Sequence, residues 1–377
     1  MEKQLARVKP TIYSDCTSAR VVGLFIIALL FYCTFVNAQT INGRVYDKAT
    51  GEPVFNAHVY LNGSSFYTTT DDSGTYQLKT TTIINTQLII SHLAYETFVI
   101  ENPFEKESID VYLTEKTFLL EEVVIKTGPF SPKEKMKAFE QQFLGDNKAG
   151  KSCIIQNKED INLFFDEDDK TLYAKCFEPL IVINNFLGYK MTFTLTDFHI
   201  QYTAKSLRTG QIEYVVMRGN VFFEDIAPLN PVIKKRRNDA YKSSLNYFFK
   251  SLANNTFGMS NHVMYNRSNS NSYWDFQHAI PANYFDITDN GSQKKVHIID
   301  YSDINKFTNN LYKFPLPITG VITVADPVGN RSEIIFLTDE FTIDAFGVVD
   351  KKDFIYVTGN MSNQRAGNMV PIDYNQE

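Results

Sequence analysis

The sequence predicts a mainly β protein, with a seven- to eight-stranded N-terminal β-sandwich followed by a larger antiparallel β-rich domain with one or two helices. Three observations support this prediction. Short stretches of alternating apolar and polar residues recur along most of the 377 residues, and turn-forming residues separate them. Aromatic residues make up 14% of the chain, which favours packed β-structure over disorder. Two segments after residue 130 instead carry apolar residues at helical spacing.

The first 38 residues differ from the remainder and are predicted to be a signal peptide. A basic start precedes the uncharged stretch 21–36, and Val36-Asn37-Ala38 supplies the small residues that a signal peptidase requires. A membrane-spanning helix needs about 20 apolar residues, so this shorter stretch favours cleavage after Ala38 over a retained anchor. No later stretch is long and apolar enough to span a bilayer, so no integral membrane helix is expected after cleavage.

Charge and length limit the partners and the domain organisation. The formal charge of the chain is −6, and it becomes −8 once the four basic and two acidic residues of 1–38 are removed. This acidic balance disfavours nucleic acid or an anionic membrane surface as the main partner. The remaining chain is too long for one ordinary core. We expect a sandwich at 39–126, a linker and helix at 127–150, and a β-rich domain of unknown function at 151–377.

The sandwich is predicted from period-two alternation that begins at Ile41. Turns are expected at 48–53, at Asn62-Gly63 and at 71–74, because Gly, Asn and Asp cluster there. These turns separate strands that alternate apolar and polar side chains. The later strands are expected at 83–91, 96–101, 109–113 and 122–125.

Four segments of this region form a recognisable set: Ile41-x-Gly43-x-Val45-x-Asp47, Thr50-Gly51-Glu52-Pro53-Val54, Ala57-x-Val59-x-Leu61 and Thr70-Asp71-x-x-Gly74-x-Tyr76. Together they resemble the carboxypeptidase-regulatory-like domain, a transthyretin-like β-sandwich. The resemblance implies an accessory domain that carries none of the zinc ligands of the peptidase. In Gram-negative envelopes this domain also precedes the plug of TonB-dependent outer-membrane receptors, and residues 120–128 are similar to that junction. Too few residues follow for a plug and a barrel, so this segment is interpreted as the last strand of the sandwich.

A helix is predicted directly after the linker. Ser131 is suited to cap it, Pro132 suits its first position, and Glu134 lies where a capping box needs an acidic residue. Gly145 is expected to end this helix, and a second one is expected at 237–254. The remaining segments favour β-structure. Strands are expected at 161–165, 171–177, 180–184, 188–204, 211–223, 259–265, 296–301, 320–326, 332–337, 341–345 and 354–358.

Four further segments resemble an uncharacterised family of exported proteins in which this sandwich is joined to a longer β-rich region. They are Asn184-Asn185-x-Leu187-Gly188-Tyr189, Arg237-x-x-x-Tyr241-x-x-Ser244 with Phe248 and Leu252, Pro315-Leu316-Pro317-x-Thr319-Gly320, and Arg365-x-Gly367-x-Met369-x-Pro371-x-Asp373-Tyr374. The resemblance supports an architecture and an exported location, and it implies no activity. Arg237 and Tyr241 share one helical face at i, i+4. We therefore expect Arg237, Tyr241 and Ser244 to form a structural motif that holds this helix against the sheet.

No catalytic, cofactor or metal site is predicted. The six His residues lack the spacing of a zinc peptidase helix, and the Asp-rich segment 166–169 lacks the Gly and Glu of a calcium loop. Cys153 and Cys176 remain after signal cleavage, and they form either a disulfide or two separate buried thiols. The basic run 234–237 either anchors to an acidic surface such as lipopolysaccharide or leads, solvated, into the following helix.

These observations favour a non-enzymatic binding or scaffolding protein of the cell envelope, on the periplasmic side of the outer membrane. Its expected partners are outer-membrane or periplasmic proteins or glycans. Two alternatives stay open at this point. One is a small outer-membrane β-barrel formed by residues 150–377, and the other is a hydrolase with an unrecognised carboxylate site.

Overall fold

A computed structural model describes residues 39–116, 128–256, 262–265, 284–299, 318–326 and 329–375. These residues confirm the predicted fold class: a sandwich-like N-terminal part precedes a larger, mostly antiparallel β region. Gln39–Glu377 is one compact unit. The predicted signal peptide and the predicted strand at 122–125 lie outside the described residues. The proposed domain boundaries at 126 and 150 stay predictions.

The N-terminal strands form two sheets. The first has the order β4-β1-β7, with β7 parallel to β1, and the second has the order β3-β2-β5-β6. Alternate side chains of β1 are buried from Ile41 onwards, as the period-two pattern predicts. The strands are β1 (Gln39–Asp47), β2 (His58–Leu61), β3 (Tyr67–Thr69), β4 (Thr75–Thr80), β5 (Leu88–His92), β6 (Tyr95–Ile100) and β7 (Val111–Leu113).

The strand predicted at 83–91 begins only at Leu88. Tertiary contacts explain this late start, because Asn85 donates hydrogen bonds to the C-terminal part of the chain. Its backbone N–H donates to Asp344 Oδ2 at 2.8 Å, and its side-chain amide donates to the Val348 carbonyl at 3.1 Å. Phe346 and Val348 are buried in the same apolar core as the sandwich strands. The sandwich core is therefore completed by side chains from a distant part of the sequence.

A six-stranded sheet follows the linker, with the order β8-β11-β12-β10-β9 and with β13 paired to the other side of β12. The capping box at Ser131 is confirmed: Ser131 Oγ accepts from Glu134 N–H, and the Glu134 carboxylate accepts from Ser131 N–H. The elements are α1 (Pro132–Phe143), α2 (Lys148–Lys151), β8 (Cys153–Ile155), β9 (Ile161–Asp166), β10 (Thr171–Cys176), β11 (Leu180–Asn184), β12 (Tyr189–Tyr202) and β13 (Ile212–Asp225).

The helix predicted at 237–254 is in fact two helices, α3 (Pro231–Lys242) and α4 (Leu245–Ala253). Each has its own N-cap. Asn230 Oδ1 accepts from the first N–H groups of α3, and Ser244 Oγ accepts from Tyr247 N–H at 3.1 Å. The apolar spacing indicates the packed face correctly but gives no indication of the break. The basic run 234–237 consequently lies inside α3 and does not lead into it.

The last strands form two smaller sheets, β14-β17-β18-β20 and β15-β16-β19. They enclose a separate apolar core into which α4 packs through Phe248 and Phe249. None of the helices in the described ranges combines the length and the hydropathy needed to span a membrane. The strands are β14 (Val263–Tyr265), β15 (Phe285–Asn290), β16 (Gln293–Ile298), β17 (Gly320–Ala325), β18 (Arg331–Phe336), β19 (Glu340–Ile343) and β20 (Ile355–Gly359).

Candidate functional site

The six-stranded sheet has two chemically different faces. Along β12, alternate residues such as Tyr189, Met191 and Phe193 are buried in the core beneath α1. Successive side chains of a strand point to opposite faces, so the residues between them, Lys190, Thr192 and Thr194, lie on the other face. β13 adds Phe222 and Glu224 to this second face, because they are the register partners of Thr192 and Lys190. The sequence predicts such a polar face for a half-buried strand, but the structure turns it towards the sandwich.

The opposing wall belongs to strands β2 and β5 of the sandwich. Val59 and Leu61 belong to the sandwich core, so alternation places His58 and Tyr60 on the outer face. Phe222 packs between the two walls: its ring centroid lies 4.7 Å from that of Tyr60 and 5.6 Å from that of His58. Tyr60, Phe222 and Ile89 form a small buried cluster at this contact.

Beside this cluster a cleft of about 390 Å³ opens between the sandwich and the six-stranded sheet. Its lining combines imidazoles, hydroxyls, aromatic rings and one ion pair. The ion pair joins Lys190 Nζ and Glu224 Oε1 at 2.7 Å. The lining also includes His58, His92, Thr192, Thr194 and Phe222, and the charged residues Lys116 and Glu178.

Burial favours the neutral form of both imidazoles of the cleft. Burial lowers the pKa of His58, the Lys190 charge lowers it further, and the Glu224 carboxylate opposes the shift. Burial also lowers the pKa of His92, helped by His58 and Lys116. His92 Nδ1 accepts from Ala94 N–H at 3.2 Å, whereas the buried His58 Nδ1 has no hydrogen-bond partner in the part of the chain that the structure describes.

Arg237 lies at the end of the β12–β13 pair and is 5% exposed. Its guanidinium makes two bonds to the Asp225 carboxylate, at 2.6 and 2.7 Å, and donates to the carbonyls of Leu187 and Gly188 at 2.6 and 2.8 Å. The guanidinium carbon also lies 4.0 Å from the centroid of the Tyr189 ring. Arg237 therefore attaches helix α3 to the sheet through an ion pair, backbone carbonyls and an aromatic face.

Burial and pairing with Arg237 shift the pKa of Asp225 in opposite directions. Burial alone raises the pKa of this carboxyl, but the hydrogen bonds from Arg237 and from Ala227 N–H, together with the guanidinium charge, bring the pKa below its ordinary value. The ion pair thus stabilises the ionised carboxylate of the native state.

Tyr241 and Ser244 occupy the same region as Arg237. The buried Tyr241 ring packs against those of Tyr247 and Tyr374, with centroids 5.1 and 5.5 Å away. Ser244 supplies the cap of α4. The structure therefore brings the three residues of the predicted motif to one place, where the two helices meet the C-terminal segment.

The C-terminal motif, residues 365–374, lies in the same region as Arg237 and Tyr241. The Asn184 side-chain amide donates to the carbonyls of Ala366 and Gly367, at 3.3 and 2.9 Å. Asp373 accepts from the backbone and the hydroxyl of Ser65, at 2.8 and 2.5 Å. We call the segments 184–189, 225, 237–244 and 365–374, together with the sandwich turn 62–65, the junction. The fourth motif, 315–320, lies largely outside the described residues.

The sandwich turn 62–65 binds the edge of β13 through its backbone. Gly63 N–H donates to the Val221 carbonyl at 2.7 Å, and Phe223 N–H donates to the Ser64 carbonyl at 3.0 Å. Asn62 adds its side-chain oxygen as the acceptor for Val221 N–H at 3.0 Å. Phe222, which packs between the walls of the cleft, thus lies between two residues whose backbones are bound to the sandwich.

Cys153 and Cys176 do not come together. They lie on β8 and β10, and strands β11 and β12 separate these in the sheet. Both are free thiols, and burial raises the pKa of each to about 12. The structure therefore shows two separate thiols, one of the two arrangements that the sequence left open.

The residues of the cleft carry no motif that sequence reasoning singled out. His58, Lys190 and Phe222 each belong to an ordinary alternating strand, and only the packing of β2 against the β12–β13 pair brings them together. The one indication in the sequence is the regular polar series Lys190, Thr192 and Thr194 opposite the apolar series of β12. Within the described ranges, no group of three or more His, Cys, Asp or Glu side chains could hold a metal ion.

Comparisons with known proteins identify a domain family for the N-terminal part of the chain. No match is found among curated proteins. One solved structure, of a protein of unknown function from Bacteroides fragilis that is described as membrane-associated, shares 9% identity. The alignment covers 86% of this chain and 95% of that one, with a TM-score of 0.17. The family model of the CarboxypepD_reg-like domain matches residues 41–125. Residues 41–125 are therefore a CarboxypepD_reg-like domain, as their motifs predict.

Proposed function

We propose that this chain is a non-enzymatic binding protein of the cell envelope, which is exported by residues 1–38 and binds a glycan between the sandwich and the six-stranded sheet. The observation that carries the proposal is the cleft itself, whose two walls belong to different parts of the chain. The regulatory character of the N-terminal domain family supports a binding role for these walls.

The chemistry of the cleft suits a neutral, hydroxyl-rich ligand. Lys190 and Glu224 form an ion pair, and the other two charged residues of the lining, Lys116 and Glu178, are of opposite sign. The cleft therefore offers little net charge to an ionic ligand. Neutral imidazoles and threonine hydroxyls can each donate and accept hydrogen bonds, as sugar hydroxyls do. Aromatic side chains such as Phe177, which is 63% exposed at the rim, supply the apolar surface for a sugar ring.

The junction explains how such a cleft would keep its shape. Backbone hydrogen bonds at Gly63 and Phe223 join the walls at one end, and the buried Arg237 ion pair holds the sheet to α3. Preorganised walls reduce the entropy lost when a ligand binds. The sandwich would then act as a fixed wall of the site.

Binding can be tested on the full chain with an array of neutral envelope oligosaccharides, followed by calorimetric titration of any hit. We expect His58→Ala and His92→Ala to weaken binding about tenfold or more, since each removes a polar contact to the ligand. His199→Ala is the matched control, because His199 pairs with Asp197 outside the cleft lining. The proposal is wrong if no neutral glycan binds, or if His199→Ala weakens binding as much as the cleft variants do.

The location can be tested separately. Cells that produce the chain with a C-terminal tag should yield a mature form that begins at Gln39 and fractionates with the envelope. N-terminal sequencing and fractionation measure these two outcomes. A form that retains residues 1–38 in the cytoplasm would contradict the envelope location and would leave the binding test unaffected.

A further inference from the structure

The loop between β13 and α3, residues 226–230, exposes apolar side chains next to basic ones. Leu229 is 94% exposed, Val232 57% and Ile226 49%. Leu229 is the most exposed of the large apolar side chains in the described residues. Most large apolar residues of the described chain are buried in one of its cores, so this group requires a physical explanation.

The local sequence explains why Leu229 stays in solvent. In a hydrophobic staple, the residue before the N-cap packs on the fourth residue of the helix. Here Asn230 is the N-cap, so Leu229 and Lys234 occupy those two positions. A lysine offers Leu229 no apolar partner. The opposite face of α3 is already buried through Arg237 and Tyr241, so Val232 also points away from the protein.

The charge of this surface is opposite to that of the whole chain. Helix α3, which follows the loop, carries Lys234, Lys235, Arg236, Arg237 and Lys242 against one acidic residue, Asp239, and Lys235 is exposed. The two acidic residues that precede the loop are neutralised, because Asp225 pairs with Arg237 and Glu224 pairs with Lys190. The loop therefore lies in a local excess of positive charge, although the net charge of the chain is −6.

We propose that this surface, the loop 226–230 together with the first two turns of α3, docks the protein onto an anionic lipid bilayer. Leu229 and Val232 enter the boundary between head groups and acyl chains, while Lys235 and its basic neighbours bind the lipid phosphates. An apolar tip with adjacent lysines fits this interface, because lysines extend their charge to the head groups while their methylenes cover apolar surface. This surface is separate from the glycan cleft and extends the proposed function.

Flotation of the full chain with lipid vesicles tests the apolar part of the proposal. We expect binding to phosphatidylglycerol vesicles and little binding to phosphatidylcholine vesicles. Leu229→Asp should reduce binding to the anionic vesicles about tenfold or more, since it replaces an inserting group by a repelled one. Phe55→Asp is the matched control, because Phe55 is 58% exposed and precedes β2, whereas the sandwich turn 62–65 follows it. Both side chains are in solvent, so both variants should keep the melting temperature of the parent.

The basic part is tested by Lys235→Gln against Lys133→Gln, which changes an exposed lysine on α1. Lys235→Gln should weaken vesicle binding severalfold and reduce its salt dependence, and Lys133→Gln should not. The proposal is overturned if anionic vesicles do not bind, or if each control loses as much binding as its partner. It is also overturned if sedimentation shows a dimer that Leu229→Asp dissociates, because a second copy would then cover the surface.

Discussion

The junction and the cleft share strands β12 and β13, yet they differ in almost every physical respect. At the junction, Arg237 has its guanidinium bound on several sides and is almost fully buried. In the cleft, His58 and His92 are only partly buried, and the lining remains partly open to solvent. The junction has the chemistry of a structural element, and the cleft has that of a site which can still accept a ligand.

Three of the four motifs of the C-terminal region lie at the junction and not in the cleft. The segments around Asn184, Arg237 and Asp373 converge there from three parts of the chain. Gly188 is an example of the precision involved. Its φ of +66° favours glycine, and a Cβ atom there would lie 2.7 Å from that of Ala227 and 3.1 Å from Arg237 Nη2. Motifs of this kind join parts of the protein to one another, so residues that bind a ligand have to be sought outside these motifs.

The largest effect is expected from Arg237→Ala. It leaves two backbone carbonyls without this donor and leaves the partly exposed Asp225 with only the Ala227 N–H, so it should lower the free energy of unfolding by about 2–4 kcal/mol. Arg218→Ala is the control, because its side chain is 76% exposed and lies 3.9 Å from Asp197. Chemical denaturation measures both. If the two variants were equally stable, Arg237 would not hold the junction.

A smaller effect is expected from Asn62→Ala in the sandwich turn. It removes the acceptor for Val221 N–H and the amide contact to Asn220, and it should cost about 1–3 kcal/mol. Hydrogen exchange at Val221 should accelerate more than exchange in the core of β12. Asn42→Ala, at an exposed position of β1, is the control. Unchanged exchange at Val221 in Asn62→Ala would show that the turn does not fix the two walls.

The pH dependence of stability should identify the same ion pair. The pKa of Asp225 is lowered in the native state, so its contribution is complete above the ordinary pKa of a carboxyl and is lost as the pH falls through the lowered value. The difference in melting temperature between the parent and Asp225→Asn should therefore stay constant from about pH 7 to about pH 5 and shrink as the pH falls below about 4. A difference that stays constant below about pH 4 as well would mean that the pair does not titrate in this way.

Much of the fold could be predicted because it depends on local patterns. The capping box at Ser131 and the alternation along β1 and β12 follow from neighbouring residues, and the structure confirms them. The break between α3 and α4 and the late start of β5 could not be predicted in this way. Ser244 fits a helix interior as well as a cap until the second helix is packed, and Asn85 is drawn away from a strand by Asp344, which is distant in the sequence. The cleft could not be predicted for the same reason, because it forms only where β2 faces β12, and these strands are distant in the sequence.

The smallest effect is expected at the cysteines. Cys153 and Cys176 lie on strands that are not neighbours, and burial raises the pKa of both thiols to about 12. Since the thiolate is the reactive form, both should react slowly with a thiol reagent at pH 8 in the native protein and rapidly after denaturation. A reducing agent should leave the melting temperature unchanged, because no bridge contributes to stability. A fall in melting temperature on reduction would show that oxidation joins two parts of the sheet that this fold keeps apart, and it would require a different strand order around β11 and β12.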